Sequence, residues 1–229
     1  MTGRVVLSLA ALFGGAVILC GCSSDPAPSS LSTTPAIPTD MGTASERAAL
    51  LTTAELTEIP GLPPGISVNA PSSQGALFED PDPTSPCGTP VAHLDLADAA
   101  NNEIVSSSLN GFQSVIDLPV REAMAFITAW KAGTRPGCPP YTSVTNTGVS
   151  ETSDLVTSLV PPHAVDQAAG AWLRITEMDQ TINTYWLVLR AGGRLEFDLL
   201  ASPTAQSTGV VDAFAQAAEL KLKSSLTTL

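Results

Sequence analysis

Hydrophobic and polar positions divide the chain into stretches of different period. Val5–Leu19 is an apolar run broken by one polar side chain, Ser8, and preceded by a short segment carrying Arg4. It has the length of a signal-peptide core and falls short of the ~20 residues a spanning helix needs. From Ser23 to about Thr43, Ser, Thr and Pro dominate and no hydrophobic period exists, so the stretch reads as a disordered tether. A helical pattern opens at Ser45, a candidate N-cap, and continues or restarts through Thr53-Ala54-Glu55-Leu56 before Pro60. Residues 66–90 are aperiodic and rich in Pro, Gly and acid, which predicts a long loop. Alternation predicts strands at 91–96, more weakly at 103–109, and at 112–118 with Val115 and Ile116 inward. Pro119 suits the start of a helix whose stripe is Val120, Ala123, Met124, Phe126, Ile127 and Trp130, with Gly133 closing it.

The second half reads mainly as strand. Residues 141–149 fit a strand, 155–160 are ambiguous, and 171–176 alternate cleanly. Residues 184–190 and 194–200 flank Ala191-Gly192-Gly193, a hairpin whose glycines supply the positive φ of a tight turn. Ser207 or Thr208 then caps a terminal helix with Val210, Val211, Phe214, Ala217, Ala218 and Leu222 on its apolar face. Together these elements predict one α+β domain at 45–229, a mainly antiparallel sheet packed by helices 119–133 and 208–226.

Leu19-Cys20-Gly21-Cys22 closes the apolar run and resembles the lipobox of bacterial lipoproteins. Cys20 follows bulky Leu19, where a signal peptidase needs a small residue. Cys22 follows Gly21 and precedes polar residues. Residues 1–21 therefore read as a lipoprotein signal peptide, 22–44 as the tether, and Cys22 as the lipidated first residue of the mature chain. The resemblance implies a thioether-linked diacylglycerol on its sulfur and often an added acyl group such as palmitate. At ~0.8 kcal/mol per buried methylene, two or more long chains anchor permanently. The expected location is the extracytoplasmic face of the cell membrane, with the membrane itself as a partner through the lipid.

Charge narrows the partners. The chain has 22 Asp+Glu and 10 Lys+Arg, and loss of Arg4 leaves 9 basic residues and a formal charge of −13. Phosphate recognition needs clustered Lys and Arg, so nucleic acid is excluded as a partner. After processing, Cys87 and Cys138 remain, and export to an oxidising space predicts a disulfide between them. A loop of roughly 50 residues stabilises by about 4 kcal/mol in the chain-entropy picture.

Candidate chemistry is sparse. His93 and Asp95 alternate in a possible strand but read as surface residues, and His163 after Pro161-Pro162 reads as loop. Glu79-Asp80-Pro81-Asp82-Pro83 lacks the spacing of a calcium loop. No nucleophile, metal, Walker or dinucleotide motif occurs, so the sequence marks no catalytic residue, no metal site and no cofactor. Trp130, Trp172 and Trp186 are candidate pocket-lining residues, although core positions are the simpler reading. Arg190 and Arg194 flank the hairpin turn and suit an anionic group, or an ion pair with Glu196, which is the favoured reading.

Several stretches together resemble actinobacterial exported proteins related to the extracellular sensor domain of PknH-type serine/threonine kinases. The resemblance rests on Ala49-Leu50-Leu51-Thr52-Thr53-Ala54-Glu55-Leu56, an acidic loop ending in Cys87-Gly88, an Ala-rich helix with Trp130, Cys138 after that helix, and the final hairpin and helix. That family typically carries a second disulfide, for which no cysteines remain here. The Mog1/PsbP-like α+β sandwich of small lipoproteins is similar in strand–helix order. Both resemblances imply binding of a cell-wall, lipid or envelope-protein ligand, or scaffolding, more than catalysis. The alternatives are an envelope hydrolase or transferase with an unmarked site, and a structural accessory protein.

Overall fold

The structure is a computed structural model and describes residues 42–70, 99–133, 141–144, 150–159, 165–177 and 180–226. The signal peptide, most of the tether, Cys22, Cys87, Cys138, the predicted strand at 91–96, His93, Asp95, His163 and the 79–83 acidic run lie outside the described residues.

Two six-residue helices, α1 (Ala44–Ala49) and α2 (Thr53–Glu58), open the fold, each with a capping box. The α1 cap is Thr43 rather than Ser45: its hydroxyl accepts from Glu46 N, and the Glu46 carboxylate accepts from Thr43 N. Thr52 and Glu55 repeat the arrangement, so the helix restarts rather than continues past Leu50-Leu51. Each such cap contributes about 1 kcal/mol.

Among the described residues, eight strands form one sheet: β1 (Ser67–Asn69), β2 (Ala100–Val105), β3 (Asn110–Asp117), β4 (Tyr141–Val144), β5 (Ser150–Leu159), β6 (Gln167–Glu177), β7 (Gln180–Ala191) and β8 (Arg194–Ser202). Their order is β1-β2-β3-β8-β7-β6-β5-β4 and every pairing is antiparallel. The expected α+β sheet is thus present. β1 falls in the stretch expected to be all loop, and residues 106–109 are the β2–β3 turn, held by Ser106 Oγ. Residues 155–159 of the ambiguous 155–160 segment belong to β5.

The helices cover opposite faces. α3 (Val120–Gly133) places Ala123, Phe126, Ile127 and Trp130 against Val188, Leu195 and Phe197. Its stripe is narrower than expected: Val120 and Met124 are exposed, because they sit on the edge of the arc that the other four centre. α4 (Thr208–Leu226) packs Val211, Phe214, Ala215, Ala218 and Leu222 against Leu187, Leu189 and Leu200, with α1 and α2 alongside it. Val115 and Ile116 face opposite sides of the sheet, as strand geometry requires, and both sides are covered.

The β7–β8 hairpin sits at the centre. Ala191 pairs with Arg194 across a two-residue turn in which Gly192 adopts φ 62°. Gly193 is needed for a different reason. Its carbonyl accepts from Leu118 N at 2.9 Å, and a Cβ there would lie 2.2 Å from the Leu118 carbonyl oxygen. Gly193→Ala therefore forces the turn off the β3–α3 corner and costs about 1–3 kcal/mol of unfolding free energy, read from urea denaturation.

Candidate functional site: a buried carboxyl pair

β8 reads Arg194-Leu195-Glu196-Phe197-Asp198-Leu199-Leu200, an alternation that suits a half-exposed strand. Here all nine of its residues are buried, because the strand is central and helices cover both faces. Leu195, Phe197 and Leu199 turn toward α3. Arg194, Glu196 and Asp198 turn toward α1, α2 and α4.

Glu196 and Asp198 are 0 % and 1 % exposed and lie on neighbouring same-face positions. Across the β7–β8 pairing their partners are Leu189 and Leu187, and across β3 they are Val115 and Gln113. The Gln113 amide spans the pair. Its Nε2 donates to Glu196 Oε1 at 3.1 Å and to Asp198 Oδ1 at 2.8 Å. Its Oε1 accepts from Leu51 N at 3.0 Å and from Asn102 Nδ2 at 3.4 Å. Asn102 Nδ2 also donates to Leu51 O at 3.1 Å. Both backbone polar groups of Leu51, at the α1–α2 junction, are thus satisfied by side chains of the sheet.

The electrostatics follow from burial. Loss of water pushes the Glu196 carboxyl well above the usual range, and the adjacent Asp198 charge and hydrogen bond push it the same way. Burial likewise pushes Asp198 up to about 7, against the lowering effect of its hydrogen bonds from Gln113 and Glu196. Two like acids side by side in an apolar site titrate as a pair rather than singly. A cavity of about 10 Å³, room for about one water, touches Asp198 and is walled by Tyr185, Leu187, Val211, Asp212 and Phe214.

Arg194 is a second buried charge on this face. It does not pair with Glu196 as expected. Its Nε and Nη2 donate to Asp117 Oδ1 and Oδ2, both at 2.7 Å, because the β3 register places Asp117 directly opposite. Nη1 donates to Ser225 Oγ at 2.9 Å and Nη2 to Ser45 Oγ at 3.0 Å, so one guanidinium joins β3, β8, α1 and α4. The Asp117 hydrogen bonds raise the Arg194 pKa further. Arg190 lies on the opposite face and donates to Gln167 Oε1 at 2.8 Å, with Asp166 3.2 Å away.

The sheet also divides the tryptophans. Trp130 stacks on Trp186 at 5.6 Å on the α3 side, and Trp130 is 0 % exposed. Trp172 stacks on Tyr185 at 5.5 Å on the α4 side. The three therefore do not converge on one pocket. A second concavity is an open groove of about 560 Å³ between α2 and α4, lined by Leu51, Ile59, Ala217, Leu220 and the ion pair of Glu55 with Lys221. Leu220 is 61 % exposed there.

Sequence reasoning named Glu196 only as an ion-pair partner for Arg190 and Arg194, and did not single out Asp198 or Gln113. A signal existed in the hairpin register. Pinning Ala191 opposite Arg194 sets each acid against a leucine, and an acid–leucine pair on one face is a mismatch unless that face is covered.

No family model matches the sequence, and a search of curated proteins found no match. Among solved structures, the chain is similar to the extracellular domain of PknH from Mycobacterium tuberculosis, with a TM-score of 0.55 and 12 % sequence identity over 82 % of this chain and 98 % of that one. At that identity the likeness is one of fold.

The buried acids set the sign of a pH dependence. Their folded pKa values lie above the unfolded ones, so at pH between the two the native state holds more protons than the unfolded chain, and stability falls as pH rises. The loss begins near the unfolded value of about 4 and continues to about 7 or above. Urea denaturation across this range is expected to show that decline, and Asp198→Asn to flatten it.

Proposed function

We propose that the protein is a lipid-anchored, extracytoplasmic, sensor-like binding domain of the cell envelope, without a catalytic centre. The observation that carries this reading is the shared fold with the extracellular domain of PknH over 98 % of that chain. The N-terminal sequence supports the anchor: an apolar run too short to span, then Gly21-Cys22, then a Ser/Pro-rich tether. Cys87 and Cys138, left after processing in an oxidising compartment, are read as a disulfide. The net negative charge favours a ligand that is not nucleic acid, and the groove between α2 and α4, with exposed Leu220, offers an apolar floor of ligand size.

Two measurements test this. Native mass spectrometry of the protein extracted from its own envelope is expected to show an adduct of lipid, glycan or protein, and a bare mass for every charge state counts against a binding domain. Metabolic labelling with a palmitate analogue is expected to mark the wild type and not Cys22→Ala. In the same labelled sample, mapping without reductant should yield a Cys87–Cys138 linked peptide. Label retained by Cys22→Ala sinks the assignment of the anchor.

A further inference from the structure

The carboxyl network leaves three buried oxygens without a partner among the described residues: Glu196 Oε2, Asp198 Oδ2 and Asn102 Oδ1. A buried acceptor left unsatisfied is costly, and two facing carboxylates add repulsion. One proton between Glu196 and Asp198 removes both problems for two of the three atoms. A metal ion fits less well. Gln113 aims N–H groups, not oxygen, at both carboxyls, and no group of three acidic, His or Cys ligands exists among the described residues.

The cluster is also the floor on which a marginal part of the fold rests. Leu51 is held by Gln113 Oε1 and by Asn102 Nδ2, and Gln113 is held by the two acids. On either side of Leu51 stand α1 and α2, each six residues long and far below the length at which a helix persists by itself. We propose that Glu196 and Asp198 form a proton-binding site whose occupancy sets how firmly the α1–α2 junction is docked on the sheet.

With the proton bound, the pair carries one negative charge and Gln113 spans it. With the proton lost, a second charge appears among Val115, Leu187, Leu189 and Leu200. Both N–H groups of Gln113 are already in use, so the added charge is relieved by water. The small cavity at Asp198, bounded on its other side by exposed Asp212, gives the proton a route to solvent. The other charged groups on this side do not neutralise the pair. Arg194 is committed to Asp117, with Glu46 beside it, Lys221 to Glu55, and α4 adds Asp212 and buried Glu219, which are acids. β3 and β2 face the pair with Gln113, Val115 and Asn102, and β7 with Leu187, Leu189 and, at the cavity, Tyr185, whose hydroxyl is held by the Gln206 backbone and whose pKa burial raises, so that it adds no charge. The proposal stands on this geometry whether or not the domain also binds a second ligand.

Hydrogen exchange of the full-length lipoprotein in detergent micelles, followed by mass spectrometry, tests it. Rates are corrected for the intrinsic pH dependence of exchange, from pH of about 5 to about 9. Protection of the peptide containing Leu51 is expected to fall by about tenfold or more through neutrality, while peptides from α3 stay level. Glu196→Gln and Asp198→Asn are each expected to abolish the step. Infrared spectroscopy of the unmutated chain gives a second readout independent of how the variants fold. A protonated-carboxyl band should persist at pH of about 6, where exposed acids are ionised. Level protection at Leu51 over the whole range, a step that survives in either variant, or no protonated carboxyl at that pH would each overturn the proposal.

Discussion

A strand covered on both faces has no side on which to leave a charge. β8 is in that position, and its charged residues explain much of what surrounds them. Burying an isolated carboxylate or guanidinium costs several kcal/mol even after relaxation. Each buried charge therefore fixes partners on other elements. Arg194 takes Asp117, Ser45 and Ser225, which ties α1 and α4 to the strand pair. Glu196 and Asp198 take Gln113, which in turn takes Leu51. The two short helices are docked by these polar contacts from the sheet as well as by buried Ala49, Leu51, Leu56 and Ile59.

The two solutions differ in kind. Arg194 keeps its charge because Asp117, half-exposed at the strand end, supplies an opposite one at bidentate geometry. No cation among the described residues faces the acids, and burial raises their pKa, so a proton takes the place of the opposite charge in the site proposed above. An arginine on β8 facing the acids would have made an ordinary ion pair. The alternation of β8 puts Arg194 on the right face, but the register sets Asp117 directly opposite it, and its fork goes there.

Much of the fold was legible. The hairpin at Gly192-Gly193, the helices ending in Gly133 and beginning after Ser207, and the antiparallel sheet all follow from local pattern and turn chemistry. Thr43 was obscured as a cap by Ser45, which stands as near to the same hydrophobic run. The site was hidden by a limit of periodicity itself. Leu-Glu-Phe-Asp-Leu reports an alternating strand, and alternation does not say whether the polar face meets water or a helix. The Gln113 position was equally silent, since a glutamine between Phe112 and Ser114 resembles any surface residue. The tryptophans showed the reverse. Their number suggested a pocket, whereas strand parity sends Trp172, paired with Tyr185, and Trp186, paired with Ala171, to opposite faces.

The strand order has a consequence for how the protein comes into being. β1, β2 and β3 form one meander and β4 to β8 another, and the two are joined where β3 meets β8. Gln113 comes from the first and both acids from the second. A chain that emerges from its amino end completes the first meander early, yet that meander has an open edge until the last strand arrives. Closure waits for residues 194–202, and α4 seals the face after them. The proton site is therefore among the last features to exist. It takes its first proton from whatever medium surrounds the finished chain.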